Sequence, residues 1–157
     1  MATQTPTKSK YVKSQGTKLN VSTTTTQDPS DADLEFADLS VTIKQPQFQG
    51  GQSDEIETTT LASEAKEFTT GLADNGTFSM AGNWKADDAA QTVLRNARDD
   101  GLARAFKVTF KDSTTTEFLG LVTQFTWDAA PNSTVNGTFN VRITGAVKFG
   151  VPTTGGE

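Results

Sequence analysis

NGTFSMAGNWKADDAAQTVLRNARDDG, residues 75–101, changes its hydrophobic period half-way along. In the first half Phe78, Met80 and Trp84 fall on one face and Thr77, Ser79 and Asn83 on the other, the period-two pattern of a half-buried strand. In the second half Ala90, Val93, Leu94 and Ala97 recur at helical spacing. Asp88, with Gln91 three residues later, suits a helix N-cap. Gly101 suits the position just past the helix end, where the backbone turns left-handed. The spacing predicts one helix over 88–99 inside a chain that otherwise reads as strand. Asp99 and Asp100 close that helix where its dipole disfavours carboxylates, so they are expected in solvent.

Working outward, the strand signals are strongest downstream. RAFKVTFKD (104–112) turns Phe106, Val108 and Phe110 inward, and residues 113–115 make a turn. EFLGLVTQFTW (117–127) puts Leu119, Leu121, Phe125 and Trp127 on one face and Phe118 and Val122 on the other, as if covered on both sides. After a loop at 129–133, Val135, Phe139, Val141, Ile143, Val147 and Phe149 share one phase. Upstream, Leu19 and Val21 mark a short strand, and QDPSDAD (27–33) is rich in turn residues. Leu39, Val41 and Ile43 alternate with Ser40, Thr42 and Lys44. Pro46 cannot donate to a ladder and marks a strand end, edge or bulge. Gly50-Gly51 reads as the turn of a hairpin whose returning strand is DEIETTT.

These elements predict a mainly β, antiparallel sandwich or small barrel with one packed helix. The expected organisation is a single domain over 1–157. Residues 1–16 form a flexible N-terminal arm, 17–149 a β-core with a long inter-strand loop at 60–75, and 150–157 a short polar tail. The chain has 157 residues, 34% of them apolar, and about one residue in six is Thr. Thr is β-branched and suits a pleated, half-wet surface. Ten Phe and two Trp argue against disorder throughout. Net charge is −5, which does not grip phosphate by counterion release but allows the protein to enclose nucleic acid without adhering to it. No apolar run is long enough to span a bilayer, so no membrane partner is expected. The first sixteen residues lack the apolar centre of a secretory signal, which reads as a cytosolic product.

Chemistry is sparsely encoded. Without His or Cys there is no Ser-His-Asp constellation, thiol nucleophile or His-ligated metal site. A carboxylate pair could still run glycoside hydrolysis, but Asp87-Asp88 and Asp99-Asp100 flank the helix and read as caps and solvated ends. Asp28, Asp31, Asp33 and Glu35 lack the glycine and closing glutamate spacing of a calcium loop. Neither a catalytic residue, a metal nor a cofactor is expected. Lys8, Lys10, Lys13 and Lys18 form a dispersed basic patch with only Tyr11 as an aromatic, suited to an arm that docks on acidic neighbours. If Leu39, Val41, Ile43 and Ile56 face the core, then Ser40, Thr42, Lys44, Glu55, Glu57 and Thr59 line a wet, mildly acidic opposite face.

The order of segments resembles a known family. ADLSVTIKQPQFQGGQSDEIETTTLASEAKEFTTGLADNGTFSMAGNW, then DDAAQTVLRNARDDG, then LARAFKVTFKDSTTTEFLGLVTQFTW are similar to the major tail tube proteins of long, flexible-tailed bacteriophages. The resemblance runs from about Leu34 to Phe149. It implies a virion protein, made and assembled in the host cytoplasm, whose hexameric rings stack into the tail tube through which DNA reaches the host. It implies partners in further copies of itself and in tail terminator, tape-measure and tail-tip proteins, with DNA passing through the lumen unbound. It makes Leu61, Glu64, Lys66, Phe68 and Leu72, with Lys8, Lys10, Tyr11 and Lys13 of the terminal arm, the expected contacts between subunits. It also makes Ser40, Thr42, Lys44, Glu55, Glu57 and Thr59 the expected lumen-facing residues. The competing readings are a β-sandwich binding module, such as a capsid decoration or adhesin protein, and an enzyme with a carboxylate site. Residues 53–76 offer a binding hot spot only Phe68 and no Arg, which disfavours the module.

Overall fold

The computed structural model describes residues 9–151. Lys8 and the tail beyond Val151 therefore lie outside the described residues. Nine strands and one helix follow in the order β1 (Lys18–Ser22), β2 (Phe36–Asp38), β3 (Ile43–Gln49), β4 (Ser53–Glu57), β5 (Phe68–Ala73), β6 (Thr77–Asn83), α1 (Ala89–Asp100), β7 (Arg104–Thr109), β8 (Thr115–Asp128) and β9 (Asn136–Gly150). Seven of the strands form one antiparallel sheet in the order β2-β1-β7-β8-β9-β6-β3. The other two, β4 and β5, pair only with each other.

The large sheet curls on itself. Phe78 of β6 meets Phe106 of β7 at 6.3 Å between ring centroids, although β9 and β8 lie between them in the sheet order. Phe118 of β8 completes this aromatic centre, 5.1 Å from Phe78 and 5.5 Å from Phe106. The two ends of the sheet approach each other at a seam. There the Leu39 N–H donates to the Leu19 carbonyl and the Leu19 N–H donates to the Ser40 hydroxyl, each at 2.8 Å. The enclosed core holds Leu19, Val21, Met80, Phe106, Phe118, Phe139 and Val141, with Leu94 and Ala97 of the helix packed into it. The expected mainly β fold with one packed helix is what the chain adopts.

The helix forms for the reasons its sequence gives. The Asp88 carboxylate accepts the Gln91 N–H at 3.1 Å, and Gly101 sits left-handed with its N–H on the Ala97 carbonyl. Gln91 goes further than a cap. It is fully buried, its side-chain oxygen accepts the Lys85 N–H at 2.9 Å, and its side-chain nitrogen donates to the Asn83 carbonyl at 2.7 Å. This buried amide fastens the end of β6 to the start of α1. Arg95 and Arg98 then lie over the Trp84 and Phe125 rings, so charged side chains roof the aromatic end of the core.

Four expectations need correction. Gly50-Gly51 does not turn a hairpin, because β3 pairs with β6 and β4 pairs with β5. The segment 60–75 is not one loop, since β5 occupies its second half and only residues 58–67 connect the strands. The run from Leu39 to Thr42 is a tight turn rather than a strand. Its Leu39 carbonyl accepts the N–H groups of Thr42 and Ile43, so Leu39 and Ile43 point inward while Val41 is 79% exposed. In β8 the innermost residues are Phe118 and Val122, and a register shift between Val122 and Gln124 brings Phe125 back to the core side beside Phe139. Trp127 and Phe149, at opposite ends of the β8–β9 ladder, lie past the core and are exposed.

Candidate assembly surfaces

Among the described residues, three surfaces of the subunit lack a partner in their own chain. The first is the β4–β5 hairpin. Every residue of β4 is exposed, and in β5 only Gly71 is partly covered. Among the described residues the hairpin has no substantial packing against another element. A lone two-stranded hairpin in water is marginal. Its tip is tied internally, with Thr58 N–H on the Glu67 carbonyl at 2.9 Å and the Thr59 hydroxyl accepting the Glu67 N–H at 3.0 Å. Its root is rigid. A Cβ on Gly51 would lie 2.0 Å from the Asp74 carbonyl oxygen, and one on Gly76 2.0 Å from that of Gln49, so the two backbones touch there. Asp74 also pairs with Arg142 of β9 at 2.6 Å. The Gly76 N–H, first, and Arg142 hold the Asp74 carboxyl below its ordinary value of 3.8.

The register of the hairpin sorts its side chains. Glu57 stands opposite Phe68 and Glu55 opposite Thr70, which places both glutamates on Phe68's face; Ile56 and Thr69 share the other. Between Ser53 and Ala73 the hairpin carries five carboxylates against the single Lys66. Leu61, Glu64, Lys66, Phe68 and Leu72 are all exposed on it.

The second surface is the seam. Between β1 and β3 lies a groove of about 610 Å³. Leu19, Ile43, Pro46 and Phe110 supply its apolar part, residues 12–15 flank it, and its only charged lining residues are Lys13 and Lys44. Lys10 and Tyr11 precede it and are exposed.

The third surface is the outward face of β3, β6, β9 and the far half of β8. Gln47 pairs with Ser79, Ser79 with Asn140, and Asn140 with Gln124. On either side of that row run Gln49–Thr77–Arg142 and Gln45–Ala81–Thr138–Thr126. These rows hold one charge, Arg142, and it is neutralised by Asp74. The panel is amide and hydroxyl apart from Ala81, the Arg142 pair and, at its edge, the half-buried Leu121 of β8 opposite Arg142.

The structure does not gather the expected wall of six residues. Thr42 is buried and its hydroxyl donates to the Leu39 carbonyl, so it drops out. Ser40 spends its hydroxyl on the Leu19 N–H, and Lys44 rims the seam groove. Glu55, Glu57 and Thr59 stand on the separate hairpin. A polar panel does lie on four strands of the main sheet. Its sequence signal was the alternating run Gln45, Gln47, Gln49 around Pro46 and Phe48.

Candidate catalytic carboxylates are engaged locally. Asp87 pairs with Lys85, Asp88 caps the helix, Asp99 pairs with Arg98, and Asp100 pairs with Arg104 at 2.7 Å. Hydrogen bonding from Arg104, then the Leu102 N–H, lowers the Asp100 pKa. Among the described residues no group of acidic side chains converges as metal ligands would.

The family pattern described as phage tail tube, lambda-like, matches residues 10–116, which is more than half of the chain. The chain belongs to the lambda-like phage tail tube family. This tail tube protein is therefore structural in role. Its fold recurs in solved tails. A subunit from the C6-symmetric tail of an empty gene transfer agent particle superposes with a TM-score of 0.62 at 17% identity, covering 85% of this chain and 96% of that one. The SPP1 tail tube gives 0.61 at 13% identity over 88% and 78%. A chain of the anti-feeding prophage baseplate gives 0.58 at 11% identity over 94% and 97%. No curated protein sequence matches this chain. Sequence identity this low carries the fold, and the tail tube family carries the role.

Proposed function

We propose that the tail tube protein assembles into hexameric rings that stack as a conduit for DNA, with the four-strand amide and hydroxyl panel facing the lumen and the β4–β5 arm joining subunits. The observation that carries this reading is the arm: a rooted, internally bonded hairpin with its side chains exposed and no substantial packing among the described residues. C6 symmetry is that of the gene transfer agent tail whose subunit shares this fold.

The mechanism is one of wall chemistry. A duplex moving through the tube meets a surface of side-chain amides and hydroxyls that stays hydrated. The Arg142–Asp74 pair leaves no free cation on the panel to catch a phosphate. A net charge of −5 per subunit adds repulsion at longer range. Glu55 and Glu57, on the arm, take no part in that wall. Further partners fit a tube open at both ends: a terminator, a tip, and a tape-measure protein inside, all met in the host cytoplasm where the virion tail is built.

The test is to concentrate the full chain, with and without a tail-tip initiator, and image it by negative-stain electron microscopy. Tubes or stacked rings are expected. Monodisperse monomers under every condition would contradict the proposal.

A further inference from the structure

We propose that the acidic arm of one copy docks in the basic seam groove of a second copy, with Phe68 over the groove's apolar floor and Glu55 and Glu57 on Lys13 and Lys44. The pairing rests on the tube reading above and names the surfaces that meet. Each surface has the pattern the other needs. The arm presents one aromatic ring, 54% exposed, flanked on its own face by two glutamates. The groove presents an apolar floor of Leu19, Ile43, Pro46 and Phe110 with two lysines and no carboxylate among its lining residues.

Charge runs the same way over longer stretches. The first 27 residues carry Lys8, Lys10, Lys13 and Lys18 and no carboxylate, while residues 53–73 carry five carboxylates and one lysine. Opposed patches of this kind steer encounter and fix register more than they add affinity. Burial of Phe68 supplies the non-directional part. The arm is long: the five residues of β4 span roughly 17 Å at the usual strand rise and the 58–67 turn extends it further. Each individual dock is weak, but many docks in one tube act together by avidity.

The chain has no cysteine, which permits a clean crosslinking test. Glu57→Cys subunits are mixed with Lys44→Cys subunits and allowed to assemble under mild oxidation, after each variant is shown to unfold at the wild-type denaturant midpoint. A mixed disulfide is expected in tubes and not in unassembled subunits. Tubes that contain only like-with-like disulfides, or none, overturn the pairing. A charge exchange gives a second measurement. Glu55→Lys with Glu57→Lys should cut the elongation rate by roughly tenfold or more at about 0.1 M salt. Adding Lys13→Glu and Lys44→Glu to the same chain should restore most of it. A reversal without effect, or a fourfold variant no better than the double, also overturns the pairing. If the wild-type chain forms no tubes at all, the tube reading itself fails; if it does and the mixed disulfide is missing, only the pairing fails.

Discussion

The seven-stranded sheet and the β4–β5 arm are made from the same kinds of residue and obey opposite rules. In the central strands of the sheet alternate side chains enter one core, where Phe78, Phe106 and Phe118 touch across strands. In the arm Ile56, Leu61, Phe68 and Leu72 are all more than half exposed. The sheet is held by what it buries and the arm only by its ladder, its tip bonds and its root. The proposed function makes this a separation of folding from assembly, with one region carrying stability and the other meeting a neighbour.

Substitutions can break or sharpen that comparison. The largest effect is expected from Phe118→Ala, which empties the aromatic centre and should cost about 3–5 kcal/mol in denaturant unfolding. A loss below about 1 kcal/mol would show that the centre is not closely packed. Gln91→Leu is expected to cost less, about 1–3 kcal/mol, because it leaves the Lys85 N–H and the Asn83 carbonyl without partners. Phe68→Ser on the arm should shift unfolding by no more than about 0.5 kcal/mol while reducing tube elongation. An equal loss of stability would place Phe68 in the subunit's own core.

The smallest effect is that of pH on the arm root. Asp74 has a lowered carboxyl pKa in the folded state. The stability it contributes is therefore present above its ordinary value of 3.8 and is lost as pH falls through the lower folded value. Protection of the Gly76 amide, taken relative to the intrinsic exchange rate at the same pH, should fall in that acid range and change little between about pH 5 and pH 7, because its N–H bonds to Asp74 at 2.9 Å. Because Asp74 is exposed, the effect should stay local. An Asp74→Asn variant that exchanges as slowly as wild type at neutral pH would show that the carboxylate does not hold the root.

Much of the sheet was legible because burial imposes a period. Phe106, Val108, Phe139, Val141 and Ile143 alternate inward as their spacing demands. The helix was legible to its caps, since Asp88 and Gly101 answer local backbone needs. The arm was not, for a physical reason. Neither β4 nor β5 has a buried face, so neither imprints a hydrophobic pattern, and the choice between β3 and β5 as partner for β4 leaves no trace in composition. The approach of Gly51 to Asp74 decides it, and that contact is long-range. Val41 misled in the opposite way: its alternation with Leu39 and Ile43 is real, but the Ser40 N–H bonds to the Asp38 carboxylate and starts a turn. An Asp two residues before a Ser is the local signal that could have found it. The polar panel was missed because its rows run across four strands distant in sequence.

The claim that folding and assembly are separated can be tested by excision. Gln52 and Asp74 already meet at the arm's root, with the Asp74 N–H on the Gln52 carbonyl at 3.1 Å, so residues 53–73 can be replaced by a short glycine link. Denaturant unfolding and electron microscopy of that variant are read together. The account predicts an unfolding midpoint matching wild type and no tubes at any concentration. A variant that unfolds at markedly lower denaturant, or that elongates into normal tubes, would contradict it.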